Sequence, residues 1–352
     1  MKKIIVLVVA LALVITLTGC GDAKTKLYVL NWGEYMDSEL VEAFEDEYNV
    51  DVVYEEVGSN EEMEIKIKSG ITAYDIAIPS DYMIDKLRQQ NLLKEIDVDL
   101  LTSLDDVTIN SDVTDLYNGK GYEPYLVPYF WGTVGIMYNT DTVTEAELTG
   151  WDVLFNPDTT LKVGMYDSSR DSVAAALLYL GYDVNTNVTA ELDAAEAALK
   201  AANIEMFGED NLKGHIIQGN LDVALVYSGD YFDELYAAEE DEAEINFGYF
   251  VPETTNVWVD GFVIPTTSEQ TELAHDFINF FLQEDVAEQN ADWVGYAPVL
   301  DEVFATLVGE DYGYDYDNYN PMPEGSSRVI YEFISDERFD RLNQILQASK
   351  TE

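Results

Sequence analysis

From Leu27 onward, short apolar runs of strand length alternate with amphipathic stretches of helical period, and this alternation constrains the fold more than any other feature. Strands separated by single helices build α/β layers around a largely parallel sheet, because each crossover helix has to cover the sheet that it connects. Residues 27–30 read as a strand. Asp37 or Ser38 then caps a helix that puts Leu40, Val41, Phe44 and Tyr48 on one face. Residues 50–54 form a second strand, and Asn60 caps a helix that runs to Lys68 and ends at Gly70. A third strand over 75–79 leads into a helix over 82–90. The spacing predicts further strand–helix units at 161–166 with 172–180, at 223–227 with 230–238, and at 261–264 with 273–282.

Layers of this kind need core material. Hydrophobic residues make up 47% of the chain and aromatics 12%, which excludes a disordered chain despite a formal net charge of −51. With 69 Asp and Glu against 18 Lys and Arg, the molecule repels phosphate backbones, so nucleic acid is excluded as a partner. There is one cysteine and there are two histidines, His215 and His275. An intrachain disulfide, a Cys-based or multi-His zinc site and a His-dependent triad all lack raw material. Two segments stand out: 233–244 is dense in acids, as a solvated helix end and loop would be, and 310–320 interleaves Asp with Tyr. The second lacks the register of a calcium loop, so neither a metal nor a cofactor is expected.

The N-terminus reads as an export leader. Lys2 and Lys3 precede an apolar run from Ile4 to Leu17, broken only by Thr16. Fourteen residues span about 21 Å as a helix, short of the ~30 Å hydrocarbon layer, so the run is a signal segment over 1–19 and not a membrane span. It ends in Leu17-Thr18-Gly19-Cys20, which resembles a bacterial lipobox. Cys20, the single thiol, is the expected lipidation site and new N-terminus, tethering an extracytoplasmic protein to the cell membrane.

In open α/β sheets, ligands bind beyond the carboxyl ends of the strands. The segments there share one chemistry: Asn31-Trp32-Gly33-Glu34-Tyr35, Pro79-Ser80-Asp81-Tyr82, Tyr166-Asp167-Ser168-Ser169-Arg170-Asp171 and Tyr227-Ser228-Gly229-Asp230-Tyr231. Trp258-Val259-Asp260-Gly261 precedes the late strand, and Trp293 and Tyr296 follow the last long helix. Carboxylates stabilise ammonium groups by charge-assisted hydrogen bonds, aromatic faces do so by cation–π attraction, and flat rings suit methylene chains. The mixture fits an alkyl diamine or polyamine. Singly, each residue has an ordinary reading: Trp32 and Tyr35 as packing, Glu34 and Asp171 as helix-start acids, Asp260 as a turn residue, Asp167 as an ion-pair partner of Arg170. It is the recurrence at five loops that points to a ligand.

Asn31-Trp32-Gly33-Glu34-Tyr35, Tyr74 to Tyr82, Trp131-Gly132-Thr133, Trp258-Val259-Asp260 and Gly295-Tyr296 resemble, in order, the spermidine/putrescine-binding proteins of bacterial ABC importers. The resemblance runs from about Leu27 to the C-terminus. It implies a two-lobed periplasmic-binding-protein fold of type II character, hinged around an interlobe cleft, in a monomer that hands its ligand to an ABC permease. It implies a first lobe of 25–133 plus 259–302 and a second of 134–258 plus 303–352. Trp32, Glu34, Tyr35, Ser80 and Tyr82 would line the cleft from the first lobe, and Asp171, Tyr227, Trp258, Asp260 and Tyr296 would complete it. Asp260 would be the main amine partner, with Asp171 near one end. Ser168 stands where the family carries a carboxylate and Tyr227 where it carries Trp, which leaves putrescine or another diamine open beside spermidine.

The alternatives are an importer subunit for a sugar or metal chelate, a sensor that shares the fold, and a secreted hydrolase using paired acids such as Glu34 and Asp260. The chain has no Gly-x-Ser-x-Gly elbow, P-loop or Gly-x-Gly-x-x-Gly. The charge far exceeds what one cleft needs, and the excess fits a saline or alkaline habitat.

Overall fold

The computed structural model describes residues 24–240, 242–310 and 312–351; the leader and Cys20 lie outside them. Among the described residues thirteen strands follow in chain order: β1 (Thr25–Trp32), β2 (Val50–Val57), β3 (Ile76–Ala77), β4 (Leu93–Lys94), β5 (Val127–Asn139), β6 (Val163–Tyr166), β7 (Ile204–Gly208), β8 (Val223–Tyr227), β9 (Phe247–Phe250), β10 (Thr254–Phe262), β11 (Ile264–Pro265), β12 (Ala297–Pro298) and β13 (Ser327–Val329). Helices separate most of them as the alternation requires, but β9, β10 and β11 follow one another with no helix between. Those at Ser38–Tyr48, Asp81–Gln89, Ser169–Tyr179 and Thr271–Phe281 match the predicted ones to within a few residues.

One sheet is the parallel trio β2-β1-β3. A second runs β13-β10-β5-β8-β6-β7, with β9 and β12 also on β5, and β11 pairs with β4 in a small third one. This second sheet is mixed, not largely parallel. The reason is β5, a fully buried strand of 13 residues that pairs antiparallel with β8, β9, β10 and β12. Its first half, up to Thr133, pairs with β10, and its second half, from Val134, pairs with β8. The apolar core divides at the same place. Leu30, Phe44, Ile76, Trp131 and Phe277 belong to one cluster, and Val134, Leu154, Met165, Val173 and Leu225 to another. Two packed halves joined by continuous β5 and β10 make a two-lobed molecule. The C-terminal segment is shared between them: Val303 and Leu307 pack with the first cluster, Leu342 and Ile345 with the second. Among the described residues no helix is long and apolar enough to cross a membrane.

Local capping corrects one expectation. Ser59, not Asn60, caps the helix Asn60–Ser69, its Oγ accepting from the Glu62 amide at 3.1 Å. Asn60 is thereby free for a tertiary role near Ser80. Gly70 ends that helix with φ +60°, as a left-handed C-cap should.

Candidate functional site

A cleft of about 1210 Å³ lies between the lobes, and all ten residues singled out above line it: Trp32, Glu34, Tyr35, Ser80, Tyr82, Asp171, Tyr227, Trp258, Asp260 and Tyr296. The first-lobe wall is set where β1 ends. Glu34 adopts φ +51°, a left-handed turn that costs a residue with a β-carbon about 1–2 kcal/mol. It is exposed and is not a helix-start acid, since the next helix begins at Ser38 with Asp37 as its cap. Trp32 is half-buried, and its Nε1 donates to the Ile78 carbonyl at 2.8 Å, which ties the ring to the end of β3. Ser80 is held from two sides: Asn60 Nδ2 donates to its Oγ, and its amide donates to Asn60 Oδ1, each at 3.0 Å.

The rings form a continuous edge-to-face row across both lobes. Tyr166 meets Tyr227 at 5.0 Å and 75°, and Tyr227 meets Trp258 at 6.1 Å and 88°. Trp258 meets Tyr296 at 5.1 Å and 78°, and Tyr296 meets Tyr35 at 5.6 Å and 72°. Edge-to-face pairing suits ring quadrupoles and fixes each ring's tilt against its neighbour. The row thus presents a firm apolar wall in place of independently mobile side chains.

The carboxylates differ in their partners. Between Asp260 and Gly261 the register of β10 on β5 shifts by one residue, and Asp260 also bridges Ser80 of the first lobe. A bulge of this kind re-aims a side chain. Asp260 is buried, its Oδ1 has no hydrogen-bond partner, and burial pushes its pKa up to about 7 although the Ser80 and Tyr35 hydroxyls pull it down. Neither hydroxyl relieves Oδ1, and Tyr35 Oη is itself unpartnered. Next to it, Asp81 accepts from the amides of Val259 (3.0 Å) and Tyr82 (2.5 Å), yet burial lifts it to about 8, helped by repulsion from Asp260.

Asp171 is satisfied where Asp260 is not. Tyr227 donates to its Oδ2 at 2.8 Å and Tyr331 to its Oδ1 at 3.0 Å. It sits in the first turn of its helix behind the cap Ser168, so the helix-start reading holds for it. Arg170 does not pair with Asp167. Its guanidinium lies 3.4 Å from the Tyr82 ring centre and 3.9 Å from Glu61, while Asp167 pairs with Lys350, the residue that follows the C-terminal helix.

Several cleft-lining groups escaped the sequence reading. Asp230 is buried, accepts from the Tyr227 amide at 3.3 Å and is pushed up to about 7, mainly by burial. Asp210 accepts from the Tyr166 hydroxyl at 2.8 Å. Asp230 stood inside a flagged strand-end segment, so a finer reading of that segment could have singled it out. Tyr331 carried no signal, because it reaches Asp171 across 160 residues of chain. Arg170 and Lys213 are the basic side chains in the lining, and Lys213 is paired with Asp233 at 2.8 Å. The arrangement favours an elongated cation over an anion.

Two α/β lobes hinged on shared strands around an acidic, ring-walled cleft define an extracytoplasmic solute-binding protein. The comparisons agree: the family model of the bacterial extracellular solute-binding proteins matches residues 39–313. The chain is 32% identical to the spermidine/putrescine-binding periplasmic protein of Escherichia coli K12, over 82% of this chain and 81% of that one. It is 30% identical to a putrescine-binding periplasmic protein of Pseudomonas aeruginosa, over 84% of each. Among solved structures, it is similar to the spermidine/putrescine ABC transporter substrate-binding protein of Streptococcus pneumoniae, with a TM-score of 0.75, 32% identity and coverage of 93% and 98%. A lipoprotein of Treponema pallidum matches with a TM-score of 0.79, 28% identity and coverage of 92% and 99%. The chain belongs to the bacterial extracellular solute-binding proteins, in the group of the spermidine/putrescine-binding proteins.

Proposed function

We propose that this protein captures a short aliphatic polyamine, putrescine or spermidine, in the interlobe cleft and delivers it to an ABC permease without catalysing a reaction. One observation carries the reading above all: the buried Asp260 carboxylate, with an unpartnered oxygen, lies beside an aromatic row that crosses both lobes. An ammonium group would pair with that oxygen while the methylenes lie against the rings. The other end of the ligand would face the second-lobe acids Asp230, Asp210 and Asp171. Spanning both lobes, the ligand stabilises the closed form, which is the form a permease would recognise. The names of the relatives support the ligand class and the partner.

In this reading the lobes divide as 25–133 with 259–302, and 134–258 with 303–352, although residues 303–307 pack with the first. The protein acts as a monomer anchored through a lipid on Cys20 outside the cytoplasmic membrane, and a Cys20→Ser variant would lose acyl incorporation.

The test is a thermal-shift and calorimetry panel of putrescine, cadaverine, spermidine, spermine and maltose. A bound ligand raises apparent stability by RT ln(1 + [L]/Kd), so at least one amine shifts Tm and maltose does not. A shift with maltose alone would replace the polyamine reading with a sugar.

A further inference from the structure

Two glycines lie directly behind the rings of the cleft wall. Gly132 faces Trp258 across the antiparallel pairing of β5 and β10. A β-carbon there would stand 2.5 Å from Trp258 Cζ2, 2.8 Å from Ser228 Oγ and 3.0 Å from Trp258 Cε2. Gly229 is the second residue of the second-lobe helix Ser228–Glu240, and a β-carbon on it would come within 3 Å of three carbons of the Tyr296 ring. Neither glycine has a left-handed φ, so no backbone requirement explains them. Glycine inside a strand weakens it unless something must approach closely. Here a ring does.

The rings cannot yield independently. Trp258 is held edge-to-face by Tyr227 and Tyr296, and Tyr296 by Tyr35 and Trp258. The Tyr296 backbone is pinned as well: its carbonyl accepts from the Tyr319 hydroxyl at 2.8 Å. The preceding residue, Gly295 (φ +80°), packs so tightly that a β-carbon on it would lie 3.3 Å from the Gly229 carbonyl. The Tyr296 ring therefore rests on the bare Cα of a residue from the helix that β8 leads into. A methyl group at 229 or 132 has one outlet, which is to drive the row into the cleft.

We infer that Gly132 and Gly229 are positioning residues for ligand binding, acting through Trp258 and Tyr296 to keep the aromatic row out of the slot. The inference rests on the polyamine reading for its ligand but not for its geometry.

The experiment uses the full chain, putrescine as the calorimetric probe and Gly214→Ala as control, since a β-carbon at Gly214 meets nothing nearer than 3.8 Å. Gly229→Ala should weaken putrescine binding at least tenfold and alter the near-ultraviolet circular dichroism of the ligand-free protein, while Gly214→Ala does neither. Tyr296→Ala also weakens binding, and adding Gly229→Ala to it weakens binding no further, because the glycine acts through that ring. Gly132 with Trp258 behaves in the same way. Should Gly229→Ala fail to fold, Tyr296→Ala restores folding in the double variant. Binding by Gly229→Ala within twofold of the parent, additive losses, or no rescue would overturn the assignment. If the parent binds no amine, the polyamine reading fails. The inference is then decided by the dichroism alone: a changed aromatic spectrum in Gly229→Ala sustains it, and an unchanged one ends it.

Discussion

The Tyr227 hydroxyl donates to Asp171 Oδ2 at 2.8 Å, and this bond gives Asp171 a partner of a kind that Asp260 Oδ1 lacks. With Tyr331 on its other oxygen, Asp171 enters the cleft already solvated by protein. Asp260 enters it with Oδ1 bare. A cation gains most where the carboxylate has least, so under the proposed function Asp260 should be the stronger anchor.

Replacing Asp260 should separate affinity from stability. Asp260→Asn should weaken polyamine binding by about 1.5–3 kcal/mol, at least tenfold, since one charge-assisted contact is lost. Burial disfavours the ionised acid, so at pH 8 the ligand-free variant should unfold no more readily than the parent. Calorimetry and urea unfolding at that pH read both quantities. A variant that binds as well as the parent takes Asp260 out of the site.

Asp171 should matter less. Asp171→Asn keeps the shape and both tyrosine neighbours, and its affinity loss should stay below that of Asp260→Asn. Tyr331→Phe removes one donor and leaves the carboxylate freer to accept, so it should retain or tighten amine binding at a stability cost of about 1 kcal/mol. Kd and urea midpoints for the two variants check this, and a Tyr331→Phe variant tenfold weaker in binding would contradict it.

Binding should release protons. Burial favours the neutral forms and pushes Asp260 and Asp230 up to about 7 and Asp81 up to about 8. A raised carboxyl pKa adds stability below the unfolded value of ~4, and that stability is lost as pH rises through the folded pKa. A bound cation reverses the preference and lowers the pKa. Between pH 5 and about 7, affinity should therefore rise with pH, and calorimetry in buffers of different ionisation enthalpy should detect proton release at pH 6. Affinity that is flat from pH 5 to 8 would mean that none of these acids meets the ligand.

One buried ion pair carries a stability prediction. Lys86 and Glu64, each with 9% side-chain exposure, pair at 2.9 Å, and Lys86 also meets Asp336 of the C-terminal helix at 3.0 Å. Lys86→Met leaves Glu64 with Lys68 and Gln90 for company. The loss should be about 2–3 kcal/mol, below the 3–5 typical when a buried charge loses its partner. Adding Glu64→Gln should recover most of it. Urea midpoints of the single and double variants decide the matter.

How much was legible follows from the range of each interaction. The period of the apolar residues showed the α/β alternation, because burying one face of a helix or strand is a local demand. Strand-end segments showed the wall residues, because the sheet's topology carries those ends to one rim. What distinguishes the wall residues from one another was hidden. Asn60 reads as a cap until Ser80 is seen beside it, and Arg170 reads as Asp167's partner until Tyr82 lies under its guanidinium.

By itself, the sequence determined the layered class, the acidic and aromatic character of the cleft and the poverty of basic groups in it, since these depend on residue type and period. Only the folded chain decided which carboxylate stays bare, where β5 passes between the lobes and why Gly132 and Gly229 carry no side chain. Those outcomes depend on contacts between residues tens to hundreds of positions apart, and no local propensity records such contacts.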